Sequence, residues 1–202
     1  MRPGVSKIQE RASALRVRSH IGGPSVATEQ GSDRGGERTP TAAEKPVAET
    51  VVDRVTHLDV PAICQLYKKV WESEPPGLPA ELGKSWQPTP LEFTSRMEGV
   101  TFFAARRGGH LIGVLGCELR QGSCHLVHLA VDPEGRRQGV ATALVAAVVD
   151  WARRANATAI WADPLGRFQA ASALLKKLGF AESGVLHRHA WNEDVRLLER
   201  VL

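Results

Sequence analysis

Tyrosine, cysteine and long apolar runs are all scarce in this chain, and each shortage excludes something. The longest uncharged apolar run, Val140–Val149, falls short of the roughly 18 residues that a membrane-spanning helix needs. No membrane partner is therefore expected, and no stretch reads as the apolar centre of a secretory signal. Three cysteines, Cys64, Cys117 and Cys124, form an odd set without a Cys-x-x-Cys pair. That set argues against a disulfide framework and predicts reduced thiols in a cytoplasmic protein. Cys117 and Cys124 are expected on neighbouring strands, packed as small hydrophobes.

Aromatic residues are absent from residues 1–48, where Gly, Ser, Thr, Pro and charge dominate and Leu, Ile, Val and Phe are few. Such a segment cannot bury enough apolar surface to offset its ordering entropy. It reads as a disordered basic tail, in which only Ser6–Val17 has the pattern of a short helix. Its Arg-rich, acid-poor start also has something of a transit peptide. The tail carries eight Lys or Arg against five acids, a net +3 of the chain's +4. A basic arm invites nucleic acid or anionic lipid. Without aromatic residues among the basic ones to stack on bases, nucleic acid is not the expected partner. Residues 49–202 remain as one nearly neutral domain of about 150 residues, large enough to bury its own core.

Within 49–202 the hydrophobic period switches repeatedly between strand and helix. Val51–Thr56 reads as a strand, and Asp59 then caps a helix to Trp71 with Ile63, Leu66, Tyr67 and Val70 on one face. Five prolines and two glycines between Glu72 and Pro90 predict irregular chain, followed by a helix over Pro90–Glu98. Gly108-Gly109 turns strand Thr101–Arg106 into strand Leu111–Leu119, and Gln121-Gly122 turns the chain into Cys124–Val131. A helix over Val140–Ala155, a strand over Thr158–Trp161 and a helix over Phe168–Leu178 follow, the last closed by Gly179. Leu186–Trp191 and Val195–Val201 make a final hairpin around Asn192–Asp194. The order β-α-α-β-β-β-α-β-α-β-β predicts a mixed α/β domain. Its centre is a mostly antiparallel sheet of about seven strands, with helices on both faces.

The densest chemistry lies between Leu126–Val131 and the helix from Val140. The loop Val131–Ala141, VDPEGRRQGVA, holds a Pro, two Gly and two Arg. A strand, a glycine-bearing loop and a helix start bring free backbone N–H groups and a positive dipole end to one point. That is an anion cradle suited to a pyrophosphate. Gly139 and the small Ala141 keep side chains out of the close approach, and Arg136 and Arg137 add charge at the rim. Arg136-x-x-Gly139-x-Ala141 resembles the acetyl-CoA-binding signature of the GNAT N-acetyltransferase superfamily: Arg or Gln, two residues, Gly, one residue, Gly or Ala. Ala170–Phe180 is similar to that family's last helix, which ends Lys-x-Gly-Phe. The resemblance runs from about Val51 to Leu202 and implies the GNAT fold with acetyl-CoA as co-substrate. An ordinary strand–helix crossover with a glycine turn is the plainer alternative, but it requires none of these residues in register.

What the resemblance implies can be placed residue by residue. Leu129, Ala130 and Val131 would meet the pantetheine arm as a missing strand would, because the following strand splays away. Arg136, Arg137, Gln138, Gly139, Val140 and Ala141 would hold the pyrophosphate, with Phe168 at the start of the last helix in place of the family's Asn. A primary amine, on a small molecule or a protein, would attack the thioester directly in a ternary complex, and a backbone N–H near Leu129 or Ala130 would steady the oxyanion. His125 is the first candidate base; it lies six residues before Val131, on the same strand face if no bulge intervenes, and its ordinary pKa of ~6.5 suits it. The family's histone-acetylating branch carries Glu there. Glu118 is the second candidate, and His128, alternating to the other face, is expected to pack. The family's Tyr acid is replaced by Leu175, and the single tyrosine, Tyr67, lies in the first helix. Ser172 is the candidate substitute, acting through water; otherwise the thiolate leaves unassisted.

Trp71, Glu72 and Trp86, beside Glu74, Pro75 and Pro76, are the candidate acceptor site, since carboxylates next to Trp attract a cationic amine. Two Trp packed on the core under a solvated loop is the alternative. His187-x-His189 is at most half a metal site, and no metal is expected. The missing Tyr leaves a second functional class open, a non-catalytic acyl-CoA sensor, and the chain is expected as a monomer or homodimer.

Overall fold

The computed structural model describes residues 49–74 and 80–202. The tail at 1–48, with the disorder expected of it, lies outside the described residues, as do Pro75 and Pro76. The order is β1 (Thr50–Arg54), α1 (Val60–Glu72), α2 (Ala80–Trp86), α3 (Pro90–Arg96), β2 (Thr101–Arg107), β3 (His110–Arg120), β4 (Ser123–Val131), α4 (Val140–Arg154), β5 (Ala159–Ala162), α5 (Gln169–Lys177), β6 (Ala181–Ala190) and β7 (Glu193–Val201). Seven strands form one sheet in the order β1-β2-β3-β4-β5-β7-β6. Every neighbouring pair is antiparallel except β4–β5. No helix among the described residues is long and apolar enough to cross a membrane.

Two apolar layers sandwich the sheet. On one face α1 sets Ile63, Leu66, Tyr67 and Val70 against Phe93 of α3 and Phe102, Val114 and Ala130 of the sheet. On the other, Val140, Leu144, Val148 and Ala152 of α4 and Leu175 of α5 cover Leu115, Leu126, Ile160 and Leu198. The period of each helix dictates these faces. The start of α3 is fixed by a capping box, in which Thr89 Oγ1 accepts from Glu92 N at 3.3 Å and Thr89 N donates to Glu92 Oε2 at 2.7 Å.

Four expectations are corrected. Glu72–Pro90 is not irregular throughout, because Ala80–Trp86 forms α2. The prolines stand before and after that stretch, and Gly83 marks a contact rather than a break: a Cβ there would lie 2.6 Å from Trp71 Cζ2. The last hairpin begins at Ala181, five residues early, with its register shifting between Leu186 and Ala190. Cys117 and Cys124, expected as reduced thiols, are joined as a disulfide with Cα atoms 6.1 Å apart. Cys117 opposes Leu126 and Cys124 opposes Leu119, which brings the two sulfurs together diagonally on one buried face. Cys64 is the free cysteine.

The fourth correction concerns β4. Val114 opposes Ala130, yet Gly116 opposes Val127, so β4 carries an extra residue against β3. His128 takes the strain at φ +56°. Such a bulge reverses the alternation of side chains beyond it. His125 and Val131, expected on one face, therefore lie on opposite faces: Val131 packs on the α4 side, whereas Val127 and Ala130 turn to the α1–α3 side with His125.

Candidate active site

The loop after β4 is built on α1. Asp132 Oδ1 accepts from Glu134 N at 2.9 Å, while Lys69 Nζ donates to Asp132 Oδ2 and Glu134 Oε1, both at 3.0 Å. The Arg136 guanidinium is turned to the end of α1, where it meets Ser73 Oγ and Glu74 Oε1 at 3.0 Å. Gln138 donates to the Glu134 carbonyl at 2.7 Å and accepts from Arg107 of β2. These side chains therefore hold the loop's shape rather than point away from it.

Gly139 then caps α4 in the left-handed region, at φ 79° and ψ 0°. An added Cβ would meet nothing within 4 Å. The first N–H groups of α4 have no acceptor within the helix, and the positive dipole end lies with them. Val140 is buried against Gly113 of β3, where a Cβ would come 2.9 Å from Val140 Cγ1, so the helix start is seated directly on the sheet. Arg137, at φ +62°, is exposed beside the opening, and Ala141 is half-buried in the first turn. The result is an opening at a helix N-terminus beside Gly139, with Arg137 exposed near it and Arg136, also exposed, paired with Glu74.

β4 and β5 form a fork. They pair only from Ser123–Ala159 to His125–Trp161. Beyond His125 no described strand pairs with β4 on its β5 side, so along Leu126–Val131, Leu129 and Ala130 included, that edge is left without a strand partner. Buried backbone groups require partners, and a slender ligand bearing amides can supply them.

His125 stands at the vertex of the fork. Its ring stacks on Trp161, with centroids 3.7 Å apart and planes 2° from parallel, and its Nε2 lies 2.8 Å from Asp163 Oδ1. Burial pushes the Asp163 carboxyl up, but the bond and charge of His125 outweigh it and hold the group below the usual carboxylate range. Glu118 lies directly opposite His125 across β3–β4 and is paired with Arg120 at 2.8 Å. His128 shares the face of His125, against expectation, because of the bulge. It packs as expected, stacked on Phe102 at 6.0 Å, and burial with the charge of Arg96 lowers its pKa to about 4. Its carbonyl accepts from Tyr67 Oη at 2.8 Å. Burial pushes the Tyr67 phenol well up, so it serves as a neutral donor.

The remaining candidates separate. Ser172 is buried, and its Oγ has no partner among the described residues. Trp71, Trp86 and Phe168 gather around Leu82, Leu165 and Val195, with Trp86 stacked on Phe168 at 5.6 Å. Phe168, expected at the cofactor, thus also belongs to this aromatic wall. Glu72 stands apart, exposed and 3.9 Å from Lys68. Sequence reasoning missed Trp161 and Asp163; their spacing, two residues apart at a strand end just before Pro164, was the available signal. Among the described residues no three His, Cys, Asp or Glu side chains are grouped to hold a metal ion.

Residues 61–180 match the model of the acetyltransferase (GNAT) family. Human N-acetyltransferase 8B is 32% identical over 105 residues, 49% of this chain and 46% of that protein, and human N-acetyltransferase 8 is 34% identical over 106 residues. The chain spans about half the length of the curated relatives it matches. The ribosomal-protein-S18-alanine N-acetyltransferase of Escherichia coli has the same fold, with TM-score 0.62 at 20% identity over 76% of this chain and 94% of that one. So does the PaiA N-acetyltransferase of Thermoplasma acidophilum, solved in complex with coenzyme A, with TM-score 0.64 at 13% identity over 76% and 99% of the two chains.

Proposed function

Because the chain belongs to the acetyltransferase (GNAT) family, we propose that it is an acetyl-CoA-dependent N-acetyltransferase acting on a primary amine in a ternary complex. The observation that carries this reading is the continuity of two features: the open edge of β4 and the left-handed Gly139 at the start of α4. Both fit an acyl-CoA. The edge offers backbone partners for pantetheine amides, and the opening at Gly139, clear even of a hypothetical Cβ, leaves room for a pyrophosphate against helix N–H groups. Ser172 Oγ, buried without a partner, is a further polar atom left for a ligand.

Acetyl-CoA, when bound, supplies an acetyl group already activated as a thioester. The protein's part is to position the amine, hold it unprotonated and steady developing charge. A backbone N–H near Leu129 or Ala130 would steady the oxyanion. His125, at the vertex of the fork, is the base, with Glu118 across the ladder as the second candidate. Trp71, Trp86 and Phe168 wall the acceptor side, and the acceptor is a small molecule or a protein amino group.

Calorimetric titration of the protein with acetyl-CoA tests the reading, followed by a CoA-release assay across small amines and peptide N-termini. Micromolar binding and amine-dependent CoA release are expected. Absence of binding would remove the proposal, and binding without release for any amine would leave a sensor in its place.

A further inference from the structure

We propose that Asp163 is a positioning residue: it holds the His125 ring by Nε2 and keeps Nδ1 free to take the proton of the incoming amine. This rests on the acetyltransferase reading and names a residue that the reading does not require. The geometry comes from three neighbours. Trp161 and Asp163 are two residues apart on the line of β5, so both project to the same side. One lies flat under the His125 ring at 3.7 Å, and the other meets its edge at 2.8 Å. With plane and edge both fixed, the ring has one orientation, and its second nitrogen has no partner among the described residues.

Asp163 is itself held in place. It precedes Pro164, which restricts it to extended backbone. The Pro164 carbonyl accepts from Arg196 N at 3.0 Å, and Leu165 bridges to Val195, so β7 braces the residue from behind. The other charged groups facing this pair are Glu118 from β3, neutralised by Arg120, and His128 further along β4, which stays neutral above about pH 4. His189 of β6 also acts on Asp163, favouring its charged form.

Asp163 does not exchange a proton. One N–H proton of the substrate ammonium moves to His125 Nδ1 and then to solvent, freeing the nitrogen lone pair. Ionised Asp163 stabilises the imidazolium that forms in between. The carboxylate accepts from Nε2–H throughout, so the tautomer with Nδ1 unprotonated is the one presented to the amine.

The test compares the parent with Asp163→Asn and Asp163→Glu, with the ring nitrogens of isotope-labelled histidine followed by NMR. His125 is assigned from the signal lost in His125→Gln. The expected parent signal is a single Nε2–H tautomer, replaced by a mixture of tautomers in Asp163→Asn and restored in Asp163→Glu. Amine-dependent CoA release should fall roughly tenfold in kcat in Asp163→Asn, recover in Asp163→Glu and keep an unchanged KM for acetyl-CoA. A His125 tautomer that ignores Asp163→Asn would overturn the proposal. So would a changed tautomer with an unchanged rate, which would leave the acetyltransferase reading standing. No CoA release from the parent with any amine would overturn the reading and the positioning role together.

Discussion

Replacing Gly139 by Glu separates what the backbone requires there from what a bound anion requires. An L-residue forced into the left-handed region costs about 1–2 kcal/mol. No steric penalty adds to it, because a Cβ at this position meets nothing within 4 Å. Gly139→Ala therefore isolates the backbone cost, which should lower Tm by roughly 2–8 °C for a domain of this size, with or without ligand. The Glu variant adds a charge. A carboxylate about 5 Å from one phosphate charge, at an effective dielectric of ~20, is worth about 3 kcal/mol of repulsion. Acetyl-CoA binding should weaken by about 150-fold or more beyond the Ala variant, and added salt should recover part of the loss. Gly139→Gln, with the same bulk and no charge, should fall between the two. Calorimetric titration reads affinity and thermal melting reads stability. If Gly139→Glu melted like Gly139→Ala and bound acetyl-CoA within threefold of the parent, the helix start would not be the anion site.

Three further perturbations test the supports of the site. Gly113→Ala drives a methyl to 2.9 Å from Val140 Cγ1 and 3.1 Å from Leu144 Cδ1; it should cost about 1–3 kcal/mol by overpacking and weaken acetyl-CoA binding through the displaced start of α4, as denaturant unfolding and titration would report. Tyr67→Phe deletes the 2.8 Å bond to the His128 carbonyl at the bulge and should destabilise by about 1–3 kcal/mol, the cost of a buried acceptor left unpaired; an unchanged unfolding midpoint would show that the bulge needs no such support. For His128 the sign follows from its lowered pKa. The unfolded chain binds the proton at about 6.5 and the folded one only at about 4, so stability is full above the first value and falls as pH drops toward the second. The parent should lose about 3 kcal/mol more than His128→Phe between pH 7 and pH 4, and equal losses in the two proteins would refute the burial argument.

Much of the architecture was legible because its signals are local. The 3.6-residue period of Ile63, Leu66, Tyr67 and Val70 or of Val140, Leu144 and Val148 fixes a buried face wherever the helix packs. Gly108-Gly109 and Gln121-Gly122 fix turns, and the loop from Asp132 to Gly139 announces a helix start whatever surrounds it. What failed was non-local. Gly83 reads as a breaker until Trp71 is seen to occupy the place of its side chain. The Cys117–Cys124 disulfide depends on a diagonal register that the cysteine count does not encode. The partner of Arg136, Glu74, lies 62 residues earlier in the chain. Asp163 carries no motif, and its partner lies 38 residues earlier in the chain.

The bulge in β4 shows most clearly why the candidate site was harder to read than the fold. Alternation places His125 and Val131 on one face, and a single extra residue is enough to reverse that, because a strand's side-chain period is two. The inserted residue has no composition signal, since His128 is neither Gly nor Asn and still adopts φ +56°. What stabilises it comes from elsewhere: the Tyr67 hydroxyl on its carbonyl, from 61 residues earlier, and the Phe102 ring against its imidazole. The only tyrosine is thus unavailable as a catalytic acid because it is committed to holding the bulge. The bulge in turn separates β4 into a first half, whose His125 faces α1 and α3, and a second half, whose open edge leads to Gly139. The proposed base and the proposed cofactor edge are thereby carried on one strand, before and after the bulge.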